Sequence, residues 1–174
     1  MKRSIIVTMA VSVVLSIYAF GSQGHEKTGK IRVGTYDNRA IAIAYSTSEY
    51  NPVAAKMAEL KKAEAAGDTA RVRELNEWGP KMQRQLHRQG FCRVPVDDLL
   101  AFVKDKFPEV AAKTGVDLIS MQCDYAGANI EIIDLTHELV ALFKPSEQTL
   151  KTVEEVVKTA PLDLDALRGD EGKD

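Results

Sequence analysis

The sequence predicts an α+β chain. Three observations carry that expectation. Ile31 to Tyr36, Val116 to Gln122 and Asn129 to Asp134 are short alternating or aliphatic runs that read as strands. Pro52 to Ala66 and Thr69 to Gln89 are long runs of helix formers with apolar residues stepping by three and four. The order is one strand, two long helices, shorter helices, two strands and terminal helices. It lacks the regular β-α alternation of a doubly wound sheet.

The chain opens with Lys2 and Arg3, followed by a 16-residue uncharged run from Ile5 to Phe20. Ala19-Phe20-Gly21 then places small residues where a signal peptidase reads them. Residues 1–21 are expected to be a signal peptide cleaved after Gly21. The apolar run is short against the ~20 residues of a membrane-spanning helix. No cysteine follows it, so a lipoprotein signal has no support. The expected location is periplasmic or secreted. Residues 22–30 read as a polar, flexible lead-in, 31–167 as one domain, and 168–174 as a disordered polar tail.

Within the domain, Asp37 or Asn38 can cap the element after the first strand. That element, "RAIAIAYSTSEY", is ambiguous, because its alternation suits a strand and its alanines suit a helix. Asn51 and Pro52 can start the next helix. Gly67-Asp68 breaks it, and Thr69 begins a second. Val53, Met57 and Leu60 on one helix and Val72, Leu75, Trp78, Met82 and Leu86 on the other each form one apolar face. So short a break predicts an antiparallel hairpin, an arm over about residues 52–89. Gly79-Pro80 predicts a kink or break, since proline lacks the backbone donor. Gly90 is expected to end the hairpin. "PVDDLLAFVKDKF" reads as one helix, and "PEVAAKTG" as another closed by Gly115. Val116–Gln122 and Asn129–Asp134 are expected to pair as a β-hairpin around the loop "CDYAGA". Thr136 to Phe143 reads as a short helix ended by Lys144-Pro145. Ser146 caps a last helix, which Pro161 stops.

Charge is uneven. Counted from Ser22, the chain is 153 residues with net charge −4. Ala54 to Arg93 holds nine basic and five acidic residues, whereas Asp97 to Asp174 holds eight and seventeen. Trp78 to Val96 contains no acidic residue, while Lys81, Arg84, Arg88 and Arg93 lie within it. A basic arm on an acidic body suits an anionic membrane surface or acidic client, against the plainer reading of a solvated helix face. Nucleic acid is not an expected partner of a net-negative exported chain without interleaved aromatics. Cys92 and Cys123 are an even pair in an oxidising compartment. They are disulfide candidates or, alternatively, two buried thiols.

No G-x-S-x-G, H-E-x-x-H, P-loop or dinucleotide motif is present. No enzyme activity, cofactor or metal site is expected. The densest polar cluster is Asp134-Leu135-Thr136-His137-Glu138. It reads as a helix start, with Asp134 or Thr136 as cap and Glu138 favouring the positive end of the dipole. His137 and Glu138 are sequence neighbours and do not face each other on a helix.

Several features in one order resemble the Skp/OmpH family of periplasmic proteins. They are the signal segment, "KIRVGTYD" running into a helical hairpin, "VDDLLAFVKDKF", "AAKTGVDLISM" and "IEIIDLTHELVALF". The resemblance covers roughly Lys30 to Phe143. It implies a small β-rich body with a projecting antiparallel hairpin, homotrimerisation through the bodies, and a holdase role toward unfolded or envelope proteins. The arm here is about four turns, shorter than the family's, and Lys144 to Arg168 extends past the family's usual end. The short arm favours the alternative of a cell-envelope adaptor or structural protein with the same fold and no chaperone activity. Trp78, Lys81, Arg84 and Arg88 are the candidate contacts on the arm. Trp78 is either an exposed client contact or packed inside the hairpin.

Overall fold

A computed structural model describes residues 29–165. The signal segment, the lead-in up to Thr28 and the tail after Asp165 lie outside the described residues. The fold is mixed α+β. Its strands are short: β1 is Ile31–Thr35, β2 Leu118–Ser120 and β3 Ile130–Asp134. Seven α-helices make up most of the rest, so the expected β-rich body is instead helix-rich.

The sheet corrects the sequence reading most. β2 and β3 do not form a hairpin. Both pair with β1, one on each side, and both run parallel to it. Val33 lies opposite Leu118 on one side and Ile132 on the other. This arrangement gives β1 a partner for its backbone groups along both edges. The expected loop, Cys123 to Ala128, is part of a longer segment, 121–129, that carries the chain across from one edge strand to the other.

The two sheet faces differ. Gly34, Ile119 and Ile133 share a register and face the core. A Cβ on Gly34 would sit 2.2 Å from Leu135 Cδ1, so only glycine lets this helix start approach the sheet. The opposite face carries Ile31, Val33, Leu118 and Ile132. Of these, Ile31 (47%), Leu118 (55%) and Ile132 (43%) are exposed.

The ambiguous segment is α1, Asn38–Ser46. It is buried nearly all round, packing on the helices that follow it in the chain. A helix buried on every side carries apolar residues at every phase, which is why a two-residue alternation also fitted it. Asp37 is its cap and accepts from the Arg39 amide. The Arg39 guanidinium, itself buried, closes on the same carboxylate at 2.6 Å.

Next come α2, Val53–Ala66, and α3, Thr69–Phe91, which pack together across Gly67-Asp68. Gly67 adopts the left-handed conformation (φ 69°) that ends α2, and Asp68 caps α3 by accepting from the Arg71 amide. Pro52 takes the cap position of α2 and Asn51 Oδ1 accepts from Val53 N at 3.1 Å. α3 does not stop at Gly90 and is continuous through Gly79-Pro80. A Cβ on Gly79 would meet nothing within 4 Å. Asn38 anchors the far end of α3, donating to the carbonyls of Gln89 (3.0 Å) and Cys92 (2.8 Å).

The expected helix "PVDDLLAFVKDKF" is broken up. It becomes α4, Asp97–Leu100, and a 3-10 turn at Lys104–Lys106, while the separately expected helix "PEVAAKTG" forms as α5, Phe107–Thr114. Val96, Leu99, Leu100 and Val103 keep the spacing of one apolar face and all reach the core. Gly115 closes α5 as expected, at φ 70°. α6 is Thr136–Ala141, and Lys144 turns the chain at φ 52°. α7 is Glu147–Val157, capped by Ser146, and ends before Pro161 is reached. The core centres on Ile41, Leu99, Leu135, Leu139 and Val153, with Tyr50 stacked on Phe102 at 5.4 Å. Among the described residues no helix is long and apolar enough to cross a membrane.

Candidate functional site

Two concave regions compete for a functional role. The first is an apolar groove of about 750 Å³. Its main wall is α3, contributing Leu75, Trp78, Met82, Leu86 and Phe91. α2 supplies Val53, Lys56, Met57 and Leu60, and α1 and α7 close the other side. The residues that the sequence placed on the two hairpin faces therefore do not simply close on each other. Ala63 and Leu75 are buried, while Met57 (58%) and Phe91 (47%) remain open to solvent. α3 packs on α1 as well as on α2, so the pair is not a plain two-helix contact.

The groove's charge is one-sided. No carboxylate lines it, and its ionisable side chains are Lys56 and His87. Lys56 Nζ lies 3.1 Å from Glu59 Oε2, and Arg71 binds the other oxygen of Glu59. The Arg71 bond, with a smaller share from Lys56, holds the Glu59 carboxyl below its ordinary value. Arg71 also pairs with Glu74. The His87 ring stands edge-on to Phe91 at 5.7 Å. Pro80 brings no amide to the wall, so the Asn76 carbonyl loses its usual donor one turn on.

The second region is a polar crevice of about 390 Å³ at the carboxyl ends of β1 and β3. It gathers Tyr36, Asp37, Arg93, Cys123, Asp134, Thr136 and His137. Parallel sheets often bind ligands at this edge. Here the polar groups are occupied with one another. Thr136 Oγ1 donates to Asp134 Oδ1 at 2.6 Å and accepts from the Asp37 amide at 3.0 Å. The same Asp134 oxygen accepts from the Thr136 amide at 2.8 Å. His137 Nε2 lies 3.3 Å from Glu154, and Arg93 donates to Gln122 at 3.1 Å. Burial, and then the nearby Asp97, raises the Tyr36 phenol above its ordinary value, so it stays protonated at neutral pH. Cys123 Sγ donates to the Tyr125 carbonyl at 3.0 Å and is not set against a base. Among the described residues no cluster of His, Cys, Asp or Glu could hold a metal ion.

The expected cap at Asp134 or Thr136 needs refinement. The cap position of α6 is Leu135, which makes no side-chain cap bond. Asp134, one residue earlier, takes the Thr136 amide, and Thr136 is buried and ties α6 to the start of α1. Of the four candidate arm contacts, Trp78 lines the groove, half-buried, which joins both readings offered for it. Lys81, Arg84 and Arg88 do not line it. Lys81 and Arg84 are exposed and make no ion pair among the described residues. The candidate disulfide is absent, and both cysteines are unbridged. Cys92 is buried, its backbone paired with Leu162, and burial raises its thiol pKa. Cys123 lies in solvent, so the two sulfurs occupy opposite environments.

The walls from α1 and α7, Ala42, Ile43, Thr152 and Val156, were invisible from the sequence. Only their apolar spacing hinted at a packed surface, and nothing local said what it would pack on. Comparison of the chain with protein-family models, with curated proteins and with solved structures gave no match.

Proposed function

We propose that this is an exported, non-enzymatic protein of the Skp/OmpH type that holds unfolded or envelope-associated polypeptides. The observation that carries the reading is the solvent-open apolar groove along α3. Its volume falls in the range of true ligand sites, and Met57 and Met82 give it walls that can reshape around different guests. Helical grooves of this kind take apolar side chains of a partner segment.

Other features support the reading. α2 and α3, joined by two residues and packed together, suit an antiparallel hairpin arm. The uncovered sheet face with Ile31, Leu118 and Ile132 suits association through the bodies into a homotrimer, because parallel sheets ordinarily have both faces covered. Lys81 and Arg84 suit contact with an anionic membrane surface. The alternative reading is an envelope adaptor with no chaperone activity. It is favoured by the packing of α3 on α1, which shortens any free arm. Light scattering for oligomeric mass, followed by aggregation suppression of a denatured β-barrel protein, separates the two. A trimer that suppresses aggregation supports the holdase. A monomer without suppression overturns it and leaves the adaptor.

A further inference from the structure

We infer that the outer edge of β3 is a second binding site, which takes an extended polypeptide segment as an added strand. The inference is independent of the groove.

The ladder fixes which backbone groups are free. Ile31 N donates to the Asn129 carbonyl at 3.0 Å, and Leu135 N donates to the Thr35 carbonyl at 2.7 Å. Between them, Ile31, Val33 and Thr35 lie opposite Ile130, Ile132 and Asp134. In a parallel ladder with those two bonds, the amides and carbonyls of Glu131 and Ile133 point toward β1. Those of Ile130, Ile132 and Asp134 point the other way, where the sheet ends. Ile130 N is taken by the Gly127 carbonyl at 3.0 Å. The Ile130 carbonyl, both backbone groups of Ile132 and the Asp134 amide have no partner among the described residues.

This edge lacks the usual guards. Natural edges are blunted by shortness, bulges, prolines, lysines or a covering element. β2, the opposite edge, is only three residues long. β3 keeps an unbroken register with β1 through five pairs and contains no proline or lysine. Its two carboxylates are bound away from the edge, Glu131 to Arg32 of β1 at 3.1 Å and Asp134 to Thr136. Ile132, beside the free groups, is exposed.

The edge specifies its occupant. Free donors and acceptors at every second residue match an extended backbone, the geometry of strand addition. A segment running antiparallel exchanges both bonds of Ile132 with a single residue. The side chain of that residue lies on the same face as Ile132, so an apolar residue at alternate positions suits the site. The edge by itself is a strip ~17 Å long and one strand spacing, ~4.8 Å, wide. That is far below the ~800 Å² per partner of a stable homodimer. It fits one strand of an unfolded, β-forming chain rather than a second copy.

Amide exchange, followed by nuclear magnetic resonance on the isotope-labelled full chain, tests this. The probe is a peptide of about eight residues in which valine and threonine alternate. Two isomers carry N-methyl groups on either every valine amide or every threonine amide. With valines on the Ile132 face, the valine amides face β3 and the threonine amides face solvent. In the free chain, the Ile132 amide should exchange at least about tenfold faster than the Ile133 amide. The unmethylated and threonine-methylated peptides should each slow Ile132 and Asp134 exchange about tenfold or more at saturation. The valine-methylated isomer should not. Ile132→Pro removes only an outward amide, a change that edge strands tolerate, and should abolish the slowing at Asp134. If that variant unfolds, the two isomers decide the matter on the unaltered chain. Equal effects of the isomers, or no slowing by the unmethylated peptide, would overturn the inference. Protection of Ile132 in the free chain that rises with protein concentration would also overturn it, by assigning the edge to a second copy. The groove reading is tested separately, by aggregation suppression.

Discussion

The groove and the crevice are both hollows lined by residues that look functional in the sequence, yet they are built on opposite principles. In the crevice, Asp37, Asp134, Thr136, His137 and Arg93 each have a partner in this chain. Their chemistry is spent on joining β1, β3, α1, α6 and α7. In the groove, apolar side chains from four helices meet without covering one another, and Met57 and Phe91 stay exposed. Polar density therefore marks the part of this molecule that holds itself together. Incomplete apolar closure marks the part with capacity left for something else.

That contrast can be broken by mutation. The largest effect is expected at Leu135→Ala, next to the crevice, because Leu135 is fully buried against Gly34. Loss of ~2–5 kcal/mol in chemical denaturation is expected. A loss under ~1 kcal/mol would mean that the helix start is not a structural joint. Thr136→Ala comes next. It strips a bond from the Asp37 amide and another from Asp134, for ~1–3 kcal/mol. Asp134→Ala should cost ~0.5–2 kcal/mol, the range of a lost helix-start bond. No change in either of these two variants would contradict the assignment of the crevice to stability.

The groove should answer in reverse. Met57→Ser should alter stability by no more than ~0.5 kcal/mol, since the side chain is largely exposed. It should nonetheless weaken aggregation suppression measured against a denatured β-barrel protein. A variant that unfolds without losing suppression would invert the comparison. The smallest perturbation is a thiol titration. One cysteine, Cys123, should react in the native protein, and the second only in denaturant. Because burial raises the Cys92 pKa, its contribution to stability is fully present below the unfolded thiol value. It is lost as pH rises through the folded one, so alkaline conditions should release Cys92.

Much of the local structure was legible. Asp37, Gly67, Asp68, Gly115 and Ser146 are each a cap or stop where the sequence placed one. Each acts through its own side chain or its own φ on amides a few residues away. Trp78, Met57 and Met82 were likewise assignable to helix faces. What those faces meet was not assignable. The groove needs Ile43 from α1 and Val156 from α7, separated by more than a hundred positions. The three arm cations read as one contact set with Trp78, but the helix turns them away from the groove it helps to line.

The sequence by itself determined the caps and stops at Asp37, Gly67, Asp68, Gly115 and Ser146, because capping and glycine conformations are local interactions. Only the tertiary structure decided that β2 and β3 flank β1 in parallel, that Cys92 and Cys123 remain apart, and that the D-L-T-H-E cluster is a joint. Strand partners and side-chain environments depend on which distant surfaces meet. Backbone pairing is chemically the same for either edge of β1, so no residue type in β2 or β3 could announce its neighbour.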